Sequence, residues 1–155
     1  MRMVGRSMFF VMLILACPVA RAQLVDQYAQ YEQTVTKLTY DYFAAKDSGD
    51  YREAYTFLSP TDQQQVPFES WRRLVKAFNR RAGPVTSRLI TRIAWLNNPQ
   101  NVAPGLYCTV DFVGAFKNID KLSGYLAFHL ETDGKFLIVR EEQNYVGREQ
   151  SGQTY

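Results

Sequence analysis

The spacing of apolar residues along the chain changes near Pro84. Before Pro84, apolar side chains recur every three or four residues, which is the period of a helix with one buried face. After Pro84 they alternate with polar side chains, which is the period of a strand with one buried face. The pattern predicts an α+β protein, in which about three N-terminal helices pack on a curved four-stranded antiparallel sheet.

A long helix is predicted from Leu24 up to the break at Ser48 and Gly49. A helix that packs on its own sheet explains its apolar stripe better than a coiled-coil dimer does, because three heptads with tyrosines in the seam are weak evidence for a coiled coil. The stripe has the spacing 4, 3, 4, 3, 4, 3 and consists of Leu24, Tyr28, Tyr31, Val35, Leu38, Tyr42 and Ala45.

Short helices follow, each marked by a capping residue. Asp50 with Glu53 forms a capping-box pattern, and Ser59 before Pro60 forms a second helix start. The next helix begins at Pro67 and ends at Gly83-Pro84. Five of its residues recur at helical spacing and are predicted to face the core: Trp71, Leu74, Val75, Phe78 and Ala82.

The alternating region predicts four strands joined by short loops. Asp133-Gly134 is a hairpin pattern, because both residue types tolerate positive φ. The predicted strands are Val85–Leu96, Gly105–Lys117, Leu122–Glu131 and Lys135–Tyr145.

The first 22 residues have the layout of a secretory signal. A basic start precedes an apolar run over Met8–Ala16, which is too short to span a membrane, and the small-residue site Ala20–Ala22 follows. We expect cleavage after Ala22, a single domain over 23–146, a flexible tail over 147–155 and a periplasmic location. The alternative is lipidation at Cys17, within "LILAC", which would anchor the protein to a membrane. No transmembrane span is expected in the mature chain.

Removal of this segment changes the charge of the protein. The full chain has 18 basic and 15 acidic residues. Loss of Arg2, Arg6 and Arg21 leaves 15 of each, so the mature chain has no net charge. Nucleic-acid binders usually carry a basic excess, so we expect no nucleic-acid partner.

The basic residues of "ESWRRLVKAFNRRAGPVTSR" are predicted to form the solvent face of an amphipathic helix. Arg72, Lys76 and Arg80 are four residues apart and so lie on one side. The alternative is a contact surface for an acidic protein or for the anionic cell envelope.

The cysteine and histidine counts limit the chemistry that the protein can perform. After cleavage Cys108 is the only thiol, so the mature chain cannot form an intramolecular disulfide. Cys108 lies among apolar residues in "GLYCTVDF" and is predicted to be a buried, inert thiol. With one cysteine and the single histidine, His129, the chain cannot form a Cys/His zinc site, and we expect neither metal nor cofactor.

Strand alternation places Asp111 and His129 together on the outer face of the sheet, away from the helices. Such a pair can act as a general base in a pocket, so the two residues are the catalytic candidates of this chain. Arg88 and Arg92 share one parity and are predicted to pair with Asp111 or Glu131 on that face. A bulge at Gly114 would invert the parity beyond it.

The outer face also carries apolar and aromatic residues, which favours a protein contact, and a homodimer through this face is predicted. These residues are Tyr107, Val113, Tyr125 and Ala127. The candidate binding residues of the whole chain are Tyr31, Trp71, Trp95, Tyr107 and Tyr125, together with Arg88.

Several of these motifs together resemble an exported bacterial family, domain of unknown function 4019, within the nuclear transport factor 2-like superfamily. The resemblance covers about Asp50–Tyr145 and rests on "AGPVTSR", "PGLYCTVDFVGAF" and the Asp-Gly hairpin. Its carriers are Trp71, Gly83, Arg88, Pro104, Gly105, Tyr107, Phe116, Asp133 and Gly134. The chain departs from the family pattern at Phe136, where a Trp is usual, and in the ending "REEQNYVG". The resemblance implies the cone-like fold and implies no activity.

The sequence therefore predicts an exported, non-catalytic module that binds an unknown small ligand or an envelope protein. One alternative is a small isomerase- or hydrolase-like enzyme that uses Asp111 and His129. The other is a subunit of a cell-envelope assembly that makes contact through Arg72, Lys76 and Arg80.

Overall fold

The structure, a computed structural model, describes residues 18–147, with side chains described from Val25 to Tyr145. Residues 1–17 of the predicted signal segment lie outside the described residues. Residues 148–155 of the predicted tail also lie outside them.

Four helices precede the sheet, because the capping residues Asp50 and Ser59 each begin a separate short helix. The first helix begins at Pro18, six residues before the predicted start at Leu24. Pro is tolerated in a first helical turn, and the alanines that follow favour the helix. The helices are α1 (Pro18–Ser48), α2 (Tyr51–Thr56), α3 (Pro60–Gln65) and α4 (Phe68–Ala82).

The predicted caps are confirmed by their hydrogen bonds. The Asp50 carboxylate accepts a bond from the Glu53 amide at 3.1 Å, and the Ser59 hydroxyl accepts one from the Asp62 amide at 3.2 Å. Gly83 ends α4 with a φ of 74°, which favours glycine.

The buried face of α4 is narrower than the sequence predicts. Trp71, Val75 and Ala82 are buried and Phe78 is partly buried, as predicted, but Leu74 is 68% exposed. At about 100° per residue, Leu74 lies roughly 80° from the middle of the buried stripe. The prediction that Leu74 faces the core is therefore wrong.

The sheet is an antiparallel meander with the strand order β1-β2-β3-β4. Strand β3 begins three residues earlier than predicted, so that only Lys117 and Asn118 connect it to β2. The Asp133-Gly134 hairpin is confirmed as a turn, with Gly134 at a φ of 84°, inside a five-residue connection. The strands are β1 (Val85–Asn97), β2 (Leu106–Phe116), β3 (Ile119–Leu130) and β4 (Phe136–Gly147).

Bulges in the two edge strands change which side chains face the helices. In β1 an extra residue lies between Ile90 and Arg92, and in β4 one lies between Ile138 and Arg140. Each bulge reverses the alternation beyond it. A register shift does occur beside Gly114, between Gly114 and Phe116, but the extra residue belongs to β3, between Ile119 and Leu122, so the alternation of β2 continues through Gly114.

The core lies between α1 and the inner face of the sheet. Phe43 of α1 meets Phe112 of β2 edge to face, with ring centroids 4.7 Å apart. The Phe57–Ser59 segment then closes the edge of β4, because Ile138 exchanges backbone hydrogen bonds of 2.8 Å with Phe57 and Ser59. The helices thus cover one face of the sheet and part of one edge, and among residues 18–147 no helix lies on the outer face.

Replacement of Gly124 by alanine is expected to destabilise the fold strongly. A Cβ at this position in β3 would collide with the carbonyl oxygen of Glu142 in β4 and lie 3.0 Å from the ring of Phe112. Because one contact is backbone, the strands must move apart, and we expect a loss of about 3 kcal/mol of unfolding free energy in urea titrations. The control is Ser123→Ala on the outer face of the same strand, and equal stabilities for the two variants would contradict this account.

Candidate functional site

A charged cluster lies on the helix-facing side of β4. The Glu141 carboxylate accepts hydrogen bonds from Lys46 Nζ at 2.7 and 2.9 Å and from the Tyr42 hydroxyl at 2.5 Å, and Gln143 donates a further bond to it. The Lys46 side chain is only 8% exposed, and its ammonium lies 4.8 Å from the centre of the Tyr42 ring. We call Tyr42, Lys46, Glu141 and Gln143 the Glu141 cluster.

The bulge in β4 is what directs Glu141 inward. Ile138 faces the core, and unbroken alternation would place Arg140 on that face and Glu141 outside. The extra residue before Arg140 shifts this parity, so that Glu141 lies opposite the buried Leu126. The last turn of α1 supplies Lys46 from the other side.

The cluster fixes the protonation of its members. Burial alone raises the pKa of Glu141, but the charge and hydrogen bonds of Lys46, with those of Tyr42 and Gln143, outweigh burial and lower that pKa below its usual 4.5. Burial, followed by the charge of Glu141, raises the pKa of the Tyr42 phenol well above 10.0. At neutral pH the site therefore holds a carboxylate with its four acceptor positions occupied and a neutral phenol.

A cavity of about 220 Å³ lies beside this cluster, between β4 and the helices α3 and α4. Glu141 and Trp71 form part of its wall. Trp71 is otherwise a core residue, since it is buried and its ring lies 5.4 Å from that of Tyr55. The other lining residues are Leu58, Asp62, Val66, Ile138 and Arg140.

A larger and more apolar recess, of about 350 Å³, lies between α1, the end of α2 and the β3–β4 hairpin. We call it the hairpin crevice. Its floor includes Phe136, which is buried, and Leu38, Phe57 and Leu137, which are partly buried. Its exposed margin is formed by Thr34, Thr56, Gly134 and Lys135.

An aromatic cluster supports this crevice from one side. Trp95 of β1 lies 5.9 Å from Phe136, and Tyr31 of α1 lies 5.2 Å from the same ring. Tyr28 packs on Trp95 with centroids 5.5 Å apart. Of the aromatic residues proposed from the sequence as binding contacts, Tyr31 and Trp95 are thus the two that adjoin the crevice.

Arg88 does not lie on the outer face, contrary to the sequence prediction. It precedes the β1 bulge, which gives it the opposite parity to Arg92. Its guanidinium faces inward, pairs with Asp47 of α1 and lies 4.1 Å from the centre of the Phe43 ring. Arg88 therefore joins α1 to β1.

The outer face keeps Asp111 and His129 apart. Asp111 is paired in register with Tyr125, and His129 with Tyr107, so the two lie four residues apart along the strands, about 13 Å. Asp111 binds Arg92 at 2.8 Å, as predicted for that arginine. His129 Nδ1 instead lies 2.9 Å from Glu131, and its ring stacks on Tyr107 at 4.5 Å.

The two outer-face tyrosines differ in their surroundings. Tyr107 is buried although it has outer parity, because the His129 ring covers it and its hydroxyl donates to the Ala103 carbonyl at 2.9 Å. Tyr125 is partly buried in the middle of the face. Tyr125 is thus the more accessible of the two for contact with a partner.

Two further sequence candidates lie where the pattern predicts. Cys108 is buried, and its surroundings raise the pKa of the thiol to about 12, chiefly through burial and then through the charge of Glu32. On α4, Lys76 and Arg80 are exposed, and Arg72 binds Glu69 at 2.6 Å. These basic residues form no pocket with the Glu141 cluster.

Comparison with known proteins shows the family. The family described as "Protein of unknown function (DUF4019)" matches residues 39–140, which is more than half of the chain, and the protein belongs to it. Comparisons with curated proteins and with solved structures give no match. Within residues 18–147, no helix is both long and apolar enough to cross a membrane, and no three metal-ligating side chains are grouped to hold an ion.

Sequence patterns missed the Glu141 cluster. Lys46 follows Tyr42 by four residues and therefore belongs to the buried stripe of α1, which was a usable signal. Glu141 gave no such signal, because a strict period of two assigns it to the outer face. The departure from the family pattern at "REEQNYVG" marks the same segment.

Breaking the Lys46–Glu141 pair is expected to cost about 3–5 kcal/mol of unfolding free energy, because Lys46→Met leaves a buried carboxylate without its cation. The matched control on the same helix is Lys37→Met, which removes an exposed pair with Asp41 and should cost less than about 0.5 kcal/mol. Urea unfolding at pH 7 measures both. Similar losses for the two variants would show that burial does not strengthen the pair.

The same cluster predicts a stability change in acid. Because the folded-state pKa of Glu141 lies below its usual 4.5, its contribution is fully present above about pH 4.5 and is lost as the pH falls through the folded value. Wild type and Glu141→Gln should therefore differ most at neutral pH, and the difference should shrink as the pH falls below about 4.5 in urea titrations. A constant difference down to pH 3 would contradict the lowered pKa.

Proposed function

We propose that this protein is an exported, non-catalytic binding module whose ligand inserts an apolar group into the hairpin crevice. The crevice volume, about 350 Å³, carries the proposal. Pockets for small molecules commonly have volumes of 300–1,000 Å³ and combine apolar walls with a few polar groups. Phe57 and Phe136 supply the apolar wall here, and Thr34, Thr56 and Lys135 supply the polar groups.

The state of the ionisable groups supports binding rather than catalysis. A general acid or base must be free to exchange a proton with the substrate. The Glu141 carboxylate is occupied by Lys46, Tyr42 and Gln143, and the high pKa of Cys108 keeps its thiol protonated. The enzyme hypothesis built on Asp111 and His129 lacks the contact between them that it requires, since the register separates the two residues.

Export and superfamily membership belong to the same proposal. The basic start, short apolar run and Ala20–Ala22 site favour secretion to the periplasm, with lipidation at Cys17 as the alternative. The layered arrangement of four helices on one face of an antiparallel meander supports a place in the nuclear transport factor 2-like superfamily. The mass of the mature protein tests the first point, because Gln23 at the N-terminus and a lipid on Cys17 give different masses.

Filling the crevice is expected to abolish ligand retention. Native mass spectrometry of protein isolated from its own host should show an added small-molecule mass on the wild type. Thr34→Phe should lose that mass, because Thr34 lies on the exposed margin and an aromatic ring there occupies the crevice. Gln33→Phe is the matched control, since it adds the same ring to an exposed α1 position that does not line the crevice.

A titration with octanol, followed by amide NMR shifts, locates the binding site directly. We expect shifts at Phe57, Leu137 and neighbouring amides, at least tenfold weaker binding to Thr34→Phe, and unchanged binding to Gln33→Phe. Octanoate and octylamine, with the same chain, then report whether Lys135 at the margin selects a charge. Shifts confined to the cavity beside Glu141, or equal binding by both variants, would reject the crevice as the site.

A further inference from the structure

The outer face of the sheet carries an ordered row of charges across its centre. By strand register, Arg92 of β1 is followed by Asp111 of β2, Tyr125 of β3 and Glu142 of β4. We call these four residues the central row. Arg92 binds Asp111 at 2.8 Å, and Arg140 binds Glu142, so the row has an ion pair at each end and a tyrosine between them.

The surroundings of the central row are mostly small or apolar. On one side, Leu89 and Val113 lie in register, and Leu89 is 62% exposed. On the other side, Ala127 lies in the next row of outer-face residues, and Leu96 and Leu137 lie in the row after that. Exposed apolar residues around a few ordered charges are typical of protein contact surfaces.

The edges of the sheet are less suited to association than its face. Strand β1 is irregular between Val85 and Ser87 and again between Ile90 and Arg92, and bulges of this kind disfavour strand addition. Strand β4 has its own bulge, and its edge is already bonded by the Phe57–Ser59 segment at Ile138. A partner that uses the sheet is therefore expected to cover the outer face.

The charge order of the central row is complementary to itself. A two-fold axis that runs parallel to the strands, between two facing sheets, places β1 over β4 of the other copy and β2 over β3. Arg92 then meets Glu142 of the partner subunit, and Asp111 meets Tyr125 of the partner subunit. A two-fold axis across the strands instead places β1 over β1 of the other copy and brings the Arg92 side chains of both copies towards each other.

We propose that the outer face is the interface of a two-fold homodimer, held at both ends of the central row by contact between Arg92 and the partner's Glu142. Each such contact joins two intrachain ion pairs into a chain of four alternating charges, from Arg140 and Glu142 of one copy to Arg92 and Asp111 of the other. Symmetry forms this chain twice. Networks of this kind exceed isolated surface pairs in strength, and they fix the register of the two copies.

Two single charge reversals test this arrangement. Arg92→Glu and Glu142→Arg each place like charges together at both contacts of a homodimer, so each variant is expected to be monomeric, with a dimer dissociation constant at least tenfold higher than that of the wild type. An equimolar mixture restores opposite charges at both contacts and should form heterodimers. Analytical ultracentrifugation measures the constants, and native mass spectrometry identifies the heterodimer by mass.

Arg72→Glu, an exposed reversal on α4, is the matched control and should dimerise like the wild type. Arg92 is exposed and Glu142 is partly exposed, so their replacement should change unfolding free energy little, and circular dichroism checks that each variant is folded. A monomeric wild type up to about 1 mM, dimers of either single variant, or a mixture that stays monomeric would each overturn the proposal.

Discussion

The ion pair between Lys46 and Glu141 constrains how the helical layer packs on the sheet. It joins the last turn of α1 to β4, two segments 95 residues apart in the chain. The Lys46 backbone carbonyl also accepts a hydrogen bond of 2.7 Å from Asn79, so that α4 is attached at the same residue. Removing two charges from water is costly, and only a geometry that satisfies every donor and acceptor offsets that cost. Few alternative packings of the helices preserve these bonds, so the cluster selects one arrangement.

Helix and strand positions could be predicted because each depends on local chemistry. The Asp50 and Ser59 caps, the φ of Gly83 and the apolar periods are all properties of short segments, and they place each strand boundary within three residues of the observed one. The bulges could not be predicted in this way. A bulge depends on how two strands pair, and the residues around Thr91 and Val139 carry no local pattern that distinguishes an extra residue from ordinary alternation.

The errors at Arg88 and Glu141 follow from these two bulges. An unbroken period of two through β1 and β4 places Arg88 and Glu141 on the outer face, whereas in the structure both side chains face the helices. Residues of the central strands were assigned to the correct faces, as Cys108, Val110 and Phe112 show. The separation of Asp111 and His129 has another cause. Alternation predicts the face on which a residue lies, and only the strand register determines its position along that face.

The burial of Cys108 has a practical consequence for studies of this fold. It is the only thiol in the described part of the chain, it is fully buried in β2, and its pKa of about 12 leaves almost no thiolate at neutral pH. An alkylating reagent can therefore reach it only when the central strands separate from the helices. The rate at which this residue becomes labelled reports the opening of the core directly, so the protein carries its own reporter of local unfolding without an added probe.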